Sequence, residues 1–156
     1  MTTPDIFATG YTASAEAFLN APTGQGDSPR LVIRTAAVAD SASVGTVYGL
    51  VPFNKGARVH YNGVIAHDQL DTATLMTVDV GYVYDDNDTV TNINDPDAFV
   101  DGSTSPRAAG VIEFDAPAGA TFEATADGWI TLTIAAGGSA TQAGNITFNG
   151  MISYQG

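Results

Sequence analysis

Cysteine is absent from this chain of 156 residues, and basic residues are scarce. Without cysteine the chain forms no disulfide and no thiolate metal site, so its redox compartment is not readable. Five lysines and arginines stand against seventeen acidic residues, which gives a formal charge of −12. Nucleic acids and anionic membrane surfaces are both bound by clustered cations. The composition therefore argues against either of them as a partner.

Long hydrophobic runs are missing too. No stretch approaches the roughly eighteen apolar residues of a membrane-spanning helix. The N-terminus, MTTPDIFATGY, has no basic region followed by an apolar run, so no secretory signal is expected. Charged residues make up 14% of the chain, which leaves Thr, Ser, Asn and Gly to build much of the surface. This length is typical of one domain.

What the chain does have is a series of short alternating runs separated by Gly, Pro and Asp. Fourteen of the seventeen acids are Asp, a residue that favours turns. The pattern predicts an all-β fold, an antiparallel, jelly-roll-like β-sandwich of about eight strands. We expect the two cleanest half-buried strands in the last two runs. The expected strands are 31–38, 44–53, 58–67, 74–84, 111–114, 120–126, 129–135 and 145–154.

The first 29 residues differ from the rest. We expect them to form an extended N-terminal arm, with a short helical turn at 12–20, and residues 30–156 to form the β-sandwich domain. The arm holds more large apolar side chains than a disordered tail does. It therefore packs on its own domain or docks on a neighbour, and both readings stay open. The candidate contact residues are Ile6, Phe7, Tyr11, Phe18 and Leu19.

An acidic segment runs from 85 to 102 and continues to Pro106. It is too long for a tight hairpin, so we expect a loop that crosses between the sheets. Calcium binds six to eight oxygen atoms, and closely spaced Asp residues supply them. The weak calcium candidates are Asp85, Asp86 and Asp88, although the EF-hand spacing is absent. The alternative is a solvated acidic loop.

Catalytic patterns are weak. His60 and His67 are seven residues apart with no carboxylate at a recognisable metal-site spacing, so surface or turn positions are expected for them. There is no G-x-S-x-G nucleophile elbow. Glu113 and Asp79 lie within strands and alternate outward. We therefore assign no catalytic, cofactor-binding or firm metal-binding residue, and expect a protein that is not an enzyme.

Three phrases carry a resemblance to a known family. They are VPFNKGARV at 51–59, LDTATLMTVDVGY at 70–82 and DPDAFVDG at 95–102. Together with the acidic, cysteine-free composition and the apolar arm, they resemble capsid decoration (cement) proteins of tailed bacteriophages, of the marine phage type. The likeness covers most of the chain in style, but none of the phrases is a diagnostic motif.

The resemblance implies a structural protein on the exterior of the virion, made in the host cytoplasm. Such modules stabilise the capsid by bridging subunits of the major capsid protein, and they often form trimers. The implied partners are the major capsid protein and further copies of this chain. No cofactor is implied.

Two other classes of function stay open. One is a receptor-binding or glycan-binding domain of a virion fibre or tip, with Trp129 and the tyrosines lining a groove. The other is a small hydrolase or calcium-dependent enzyme, which needs a concave pocket with a perturbed ionisable group.

Overall fold

Strands make up nearly all the regular structure of the chain. The computed structural model describes residues 6–8, 29–86, 91–115, 121–137 and 141–154. These residues form eleven strands and one 3-10 helical turn at Ser105–Arg107. The strands are β1 (Ile6–Phe7), β2 (Arg30–Val38), β3 (Val47–Phe53), β4 (Arg58–His60), β5 (Val64–His67), β6 (Thr77–Tyr84), β7 (Asp95–Ser103), β8 (Gly110–Glu113), β9 (Thr121–Glu123), β10 (Gly128–Ala136) and β11 (Gly144–Ser153).

The strands form two sheets that pack face to face. The first, sheet A, has the order β1-β3-β10-β6-β7. In sheet B, the long strand β11 pairs with β2 along one edge and with both β5 and β4 along the other. Beyond these, β8 pairs with β5 and β9 pairs with β4. Every pair is antiparallel except β1 with β3, so the predicted antiparallel β-sandwich is confirmed. The jelly-roll variant stays a prediction.

The strand count differs from the expected eight for three reasons. Residues Ile6–Phe7 of the expected arm form β1, which pairs with β3. The run 58–67 splits into β4 and β5, because a turn at 61–63 interrupts it and each half pairs with a different part of β11. The expected crossover loop 85–106 contains β7, which pairs with β6 inside one sheet. The sequence does not indicate this strand, because Phe99 and Val100 are its only buried residues and acidic residues surround them. No described helix is long and apolar enough to span a membrane.

The inner faces follow the predicted alternation. On β6, Met76 (just before the strand), Val78, Val80 and Tyr84 are buried, and Tyr82 packs against the same core. On β11, Ile146, Phe148 and Ile152 point inward. Strand β10 departs from the prediction of a half-buried strand. It is the central strand of sheet A, and Trp129 and Thr131 on its second face are buried as well.

Aromatic rings fill the space between the sheets at the β7 end. Phe99 of β7 stacks on Phe114, which directly follows β8, with ring centroids 5.0 Å apart. Phe122 of β9 lies 4.1 Å from Tyr82 and 5.9 Å from Phe99. Such ring pairs contribute about 0.5–1.5 kcal/mol each beyond the area they bury. This aromatic layer joins the edge of sheet A to the edge of sheet B.

Two glycines mark close approaches. A Cβ on Gly81 would collide with the Asp95 carbonyl oxygen. The start of β7 can therefore lie this close to β6 only because position 81 has no side chain. At Gly150 a Cβ would lie 2.6 Å from the Phe148 ring and 3.2 Å from the Gly63 Cα atom. The sequence predicts a bulge or a close approach at Gly150. The structure has the close approach, and the pairing of β11 with β2 runs through it without a shift.

Asp71 is the one acidic side chain among the described residues that is completely buried. Its two carboxylate oxygens accept hydrogen bonds from the backbone N–H groups of Ala73 (2.8 Å) and Met76 (2.6 Å). Burial alone would raise the pKa of Asp71. The bonds from Met76, Ala73 and Leu75, helped by the Arg107 charge, more than offset burial and lower the pKa. These hydrogen bonds hold the backbone of the segment that leads into β6.

We predict that Asp71→Asn lowers the free energy of unfolding by about 2–3 kcal/mol, because one backbone N–H loses its acceptor. Urea unfolding at neutral pH measures the loss. Since the folded-state pKa of Asp71 is depressed, its contribution is present above the ordinary value of 3.8 and is lost as the pH falls through the folded-state value. The gap between the two proteins should therefore narrow in strong acid.

The control is Asp86→Asn, because Asp86 is exposed. It should change the free energy of unfolding by no more than about 0.5 kcal/mol. Equal stability of the Asp71→Asn variant and the wild type at neutral pH would contradict this account of Asp71.

Candidate assembly surface

The outward side of sheet B carries exposed aliphatic side chains. Leu31 is 61% exposed, Ile33 is 49% exposed and Val111 is 50% exposed. Val64 and Met151 on the same side are half-buried. We call these five residues the open face. They point outward because their neighbours along each strand, such as Val32, Ile65, Ile112 and Ile152, fill the core.

Strand register brings the open face together. Met151 pairs with Leu31, and the next row places Ile33, Asn149 and Val64 side by side. The row after that contains Thr35, Thr147, Ala66 and Val111. The hydroxyls of Thr35 and Thr147 are 2.9 Å apart and bond to each other. The surface thus spans four strands, β2, β11, β5 and β8.

Charge is scarce within these three rows, and the exposed Arg58–Glu123 ion pair lies beyond them, opposite Ser153. In the three rows, the single ionisable side chain is Glu113, opposite Val64. That is unusual in a chain whose formal charge is −12. Exposed aliphatic side chains grouped on a rigid sheet are typical of a surface that binds another macromolecule. A partner that covers these side chains removes apolar area from water, which stabilises the complex. Because few charged groups lie between them, little hydration of charge is lost.

The sequence alone does not reveal this surface, and its apolar N-terminal residues point to the arm as the contact region. The run LVIRTAAV marked β2 correctly but did not say which alternate set faces out. A usable signal was present, because Leu31 and Ile33 alternate with Val32 and Arg34. That leaves apolar residues on both faces of β2, and only pairing with β11 decides which set is covered.

Within the described residues, the five predicted arm contacts do not form a common contact surface. Ile6 is half-buried and packs against the domain's own core. The backbone of Phe7 pairs with Gly49 in β3, and Ala8 donates to the Gly49 carbonyl at 2.7 Å. Tyr11, Phe18 and Leu19, with the helical turn expected at 12–20, lie outside the described residues. Docking by the arm stays a prediction.

The calcium candidates are also only partly described. Asp85 and Asp86 are exposed at the end of β6, and Asp88 lies outside the described residues. In the described part of the chain, no group of three or more His, Asp or Glu side chains is arranged to hold a metal ion. Calcium binding at 85–88 stays untested.

The acids of β7 lie close enough to influence one another. Burial, followed by a hydrogen bond and the charge of Asp97, raises the pKa of Asp95. Burial also raises the pKa of Asp79, and the charges of Asp101 and Asp97 add to it, against the opposing Gly102 N–H bond. These carboxylates line a sheet edge and not a pocket.

The two histidines have structural partners. His60 Nε2 lies 3.1 Å from the Ser153 hydroxyl. His67 is buried, contrary to the expected surface or turn position. Its Nε2 lies 2.9 Å from Ser105 Oγ, and its Nδ1 lies 2.9 Å from the Asp68 carbonyl oxygen. Because a carbonyl only accepts, Nδ1 carries the proton. Ser105 Oγ also lies 3.2 Å from the Val111 carbonyl oxygen, and its single hydroxyl hydrogen can donate either to this oxygen or to Nε2, so the pair links the 3-10 turn to β5 and β8.

Among the described residues, the aromatic side chains do not form an exposed surface on which a sugar could stack. Trp129 is 1% exposed, and Tyr48, Tyr84 and Tyr154 are buried. Tyr61 and Tyr82 are half-buried and contact the Phe99 ring. A glycan stacks on exposed rings, so the described residues give the predicted glycan-binding groove no support.

One open depression in the described part of the chain has a volume of about 860 Å³. Its described lining includes Lys55, Asn92, Glu123 and Thr125. None of the carboxyl groups with a shifted pKa lines it, since Asp71, Asp79 and Asp95 lie elsewhere. The depression therefore lacks the perturbed acid or base that a catalytic pocket needs.

Comparison with known proteins gives structural neighbours alone. No protein-family model matches the chain, and no curated protein matches it. A chain from the capsid of Ralstonia phage GP4 aligns with a TM-score of 0.68 and 20% identity, over 87% of this chain and 90% of that one. A chain from the capsid asymmetric unit of cyanophage Pam1 aligns with a TM-score of 0.61 and 19% identity, over 94% and 99%. At these identities the shared property is the fold.

The acids of β7 yield a prediction about pH. Since the folded-state pKa of Asp95 is raised, the protonated form favours the folded state, and this contribution is lost as the pH rises through the folded-state value. Asp97→Asn removes the neighbouring charge. We expect the variant to be about 0.5 kcal/mol more stable than the wild type at neutral pH, a gain that disappears in acid.

Thermal unfolding across the pH range measures the effect of Asp97→Asn. The matched control is Asp86→Asn, an exposed Asp beyond β6. Equal gains from the two variants would mean that reduced net charge is responsible. In that case the proximity of Asp95 and Asp97 would not be the cause.

Proposed function

We propose that this chain is a non-enzymatic virion structural protein that decorates a bacteriophage capsid and stabilises it by bridging major capsid protein subunits. The observation that carries the proposal is the fold match to chains from two phage capsids, which extends over most of each chain. The three sequence phrases resemble capsid decoration proteins of tailed bacteriophages, which supports the role in decoration. The open face supplies a surface suited to the task.

The open face suits attachment to a large, regular shell. It is rigid, because β2, β11, β5 and β8 are hydrogen-bonded across it. It is apolar, with Leu31, Ile33 and Val111 about half or more exposed. Many copies bound to a symmetric shell act together, so each contact can be weak. A single copy that covers a junction between two subunits would resist their separation.

The acidic remainder of the surface would then face the medium. Strong negative charge keeps a protein soluble and limits non-specific association. The proposed location is the capsid exterior, after synthesis in the host cytoplasm. The proposed partners are the major capsid protein and other copies of this chain, as a trimer, without nucleic acid, membrane or cofactor.

The arm has a secondary place in the proposal. Ile6, Phe7, Tyr11, Phe18 and Leu19 remain candidate contacts with the capsid or with another copy. Since Ile6 packs on its own core in the structure, a docking role for it requires that β1 leave β3. The pair is two residues long, so leaving it breaks few hydrogen bonds.

We predict that Leu31→Asp with Ile33→Asp weakens binding to capsid shells about tenfold or more, because two carboxylates would have to be desolvated in place of two aliphatic side chains. The probe is empty shells assembled from the major capsid protein encoded in the same genome. Co-sedimentation of the purified chain with these shells gives the bound fraction as a function of concentration.

The matched control is Val44→Asp with Leu75→Asp. These residues are 57% and 62% exposed and lie in loops away from the open face. The control should bind as the wild type does, with the same change in net charge. Absence of wild-type binding would contradict the proposed function. Loss of binding by both variants alike would remove the open face from it.

A further inference from the structure

The outer side of sheet A is buried, although sheet B packs against its other side. Strand register places six residues in two rows across β3, β10 and β6. One row contains Pro52, Trp129 and Val83, and the next contains Gly49, Thr131 and Gly81. All six are buried, and Trp129 is 1% exposed. We call these six residues the outer A face.

The outer A face is separate from the core between the sheets. Along β10, Ile130 and Leu132 alternate with Trp129 and Thr131, and adjacent positions of a strand point to opposite faces. Ile130 and Leu132 belong to the core, whereas Trp129 and Val83 are buried without belonging to it. The outer A face is therefore buried by a part of the chain that lies outside the two-sheet sandwich.

Two threonine hydroxyls indicate that this cover excludes water. The Oγ1 atoms of Thr131 and of Thr133, one row further along β10, are buried and have no hydrogen-bond partner among the described residues. Burying an unbonded hydroxyl costs free energy, and contact with water would avoid that cost. A cover is stable over them only if it buries enough apolar area elsewhere. The Trp129 ring supplies much of that area.

The described strands account for only part of the cover. The backbone of Asp95 and Pro96, at the start of β7, lies over Gly81 on the β6 side of the face. The other described strands belong to sheet A itself or to sheet B, which lies on the inner side. The cover over Trp129 and Thr131 must therefore come from a segment that connects strands.

The segment between β1 and β2 is the longest of these connections, and both its ends lie beside the outer A face. Ala8 bonds to Gly49, and β1 runs parallel to β3, so the chain leaves β1 towards Pro52. It re-enters at Arg30, which pairs with Ile152. Two residues beyond Ile152, the Tyr154 hydroxyl donates to the Pro52 carbonyl at 3.3 Å. The segment thus begins and ends near Pro52.

Length and composition also favour this segment. Residues 9–28, which lie outside the described residues, span about 70 Å when extended. Neighbouring strands are about 4.8 Å apart, so the segment can cross β3 and β10 and return. It contains Tyr11, Phe18 and Leu19, and its charged residues are Glu16 and Asp27. The shorter segments outside the described residues, 87–90, 116–120 and 138–140, contain no aromatic residue.

We propose that residues 9–28 fold back on their own chain and pack against the outer A face, as a third layer over β3 and β10. Tyr11, Phe18 and Leu19 supply the apolar side chains that cover Trp129 and Pro52. Trp129 is buried in a single chain, so the contact lies within one copy. Sheet A then has no free face, and the open face of sheet B remains for partners.

This inference concerns the free chain and does not rest on the proposed function. A capsid contact through Tyr11, Phe18 or Leu19 would require these side chains to leave the outer A face, just as a contact through Ile6 requires β1 to leave β3.

Trp129 is the only tryptophan of the chain, so tryptophan fluorescence reports on the outer A face alone. The test variant carries Tyr11→Ser, Phe18→Ser and Leu19→Ser. We expect acrylamide to quench its emission severalfold more efficiently than that of the wild type, and the emission to shift to longer wavelength, because water reaches the ring. The matched control carries Leu31→Ser, Val44→Ser and Leu75→Ser, three exposed aliphatic positions outside the arm. It should be quenched as the wild type is.

A second measurement leaves the large apolar side chains of the arm in place. Because the chain has no cysteine, Ala13→Cys and Ala17→Cys each provide one site for a bimane label, whose fluorescence is quenched by a tryptophan in contact with it. We expect quenched emission from at least one of the two sites, and recovery when Trp129→Phe is added. The control label at Val44→Cys, by the far end of β10, should not respond to Trp129→Phe.

Three results would overturn the proposal. The first is unchanged acrylamide quenching in the test variant, with cooperative thermal unfolding that shows it to be folded. The second is bimane emission that does not respond to Trp129→Phe at either site, which decides the matter if the test variant does not fold. The third is bimane quenching that falls on dilution or with excess unlabelled chain, because the arm would then dock on another copy. Shell binding has its own assay, so the two proposals fail separately.

Discussion

The aromatic layer between the sheets is the interaction on which the rest of the structure depends. Phe99, Phe114 and Phe122 join β7 to β8 and β9, three edge strands that each carry exposed carboxylates. Without cysteine, no disulfide closes this edge. The Arg58–Glu123 ion pair is exposed and contributes little. Buried ring contacts therefore hold the acidic side together, and Gly81 lets β7 approach closely enough to make them.

Burial then differs between the two sheets. Sheet A is buried on both faces at its centre, as Trp129 and Thr131 show, so it offers no broad surface. Sheet B is covered on its inner face alone, and its outer face keeps Leu31, Ile33 and Val111 exposed. A chain with a formal charge of −12 thus has one face, the open face, with few charged side chains.

The sequence predicts the sandwich and most strand positions, because alternation in runs such as 74–84 and 145–154 reports one covered face. It does not predict β7, whose two buried residues stand among Asp, Pro and Gly. The burial of Thr131 depends on the central place of β10, and strand order is a non-local property. The sequence does not predict the open face for the same reason. Leu31 and Val32 look alike in sequence, and only the pairing of β2 with β11 decides which of them is covered.

The most direct test of the account is a cryo-electron microscopy reconstruction of shells from the same phage, with and without the chain bound. The account predicts extra density on the outer surface. In that density the open face of sheet B lies against the major capsid protein, over a junction between subunits. Density inside the shell, density that contacts the shell through sheet A, or no density at saturating chain would contradict it.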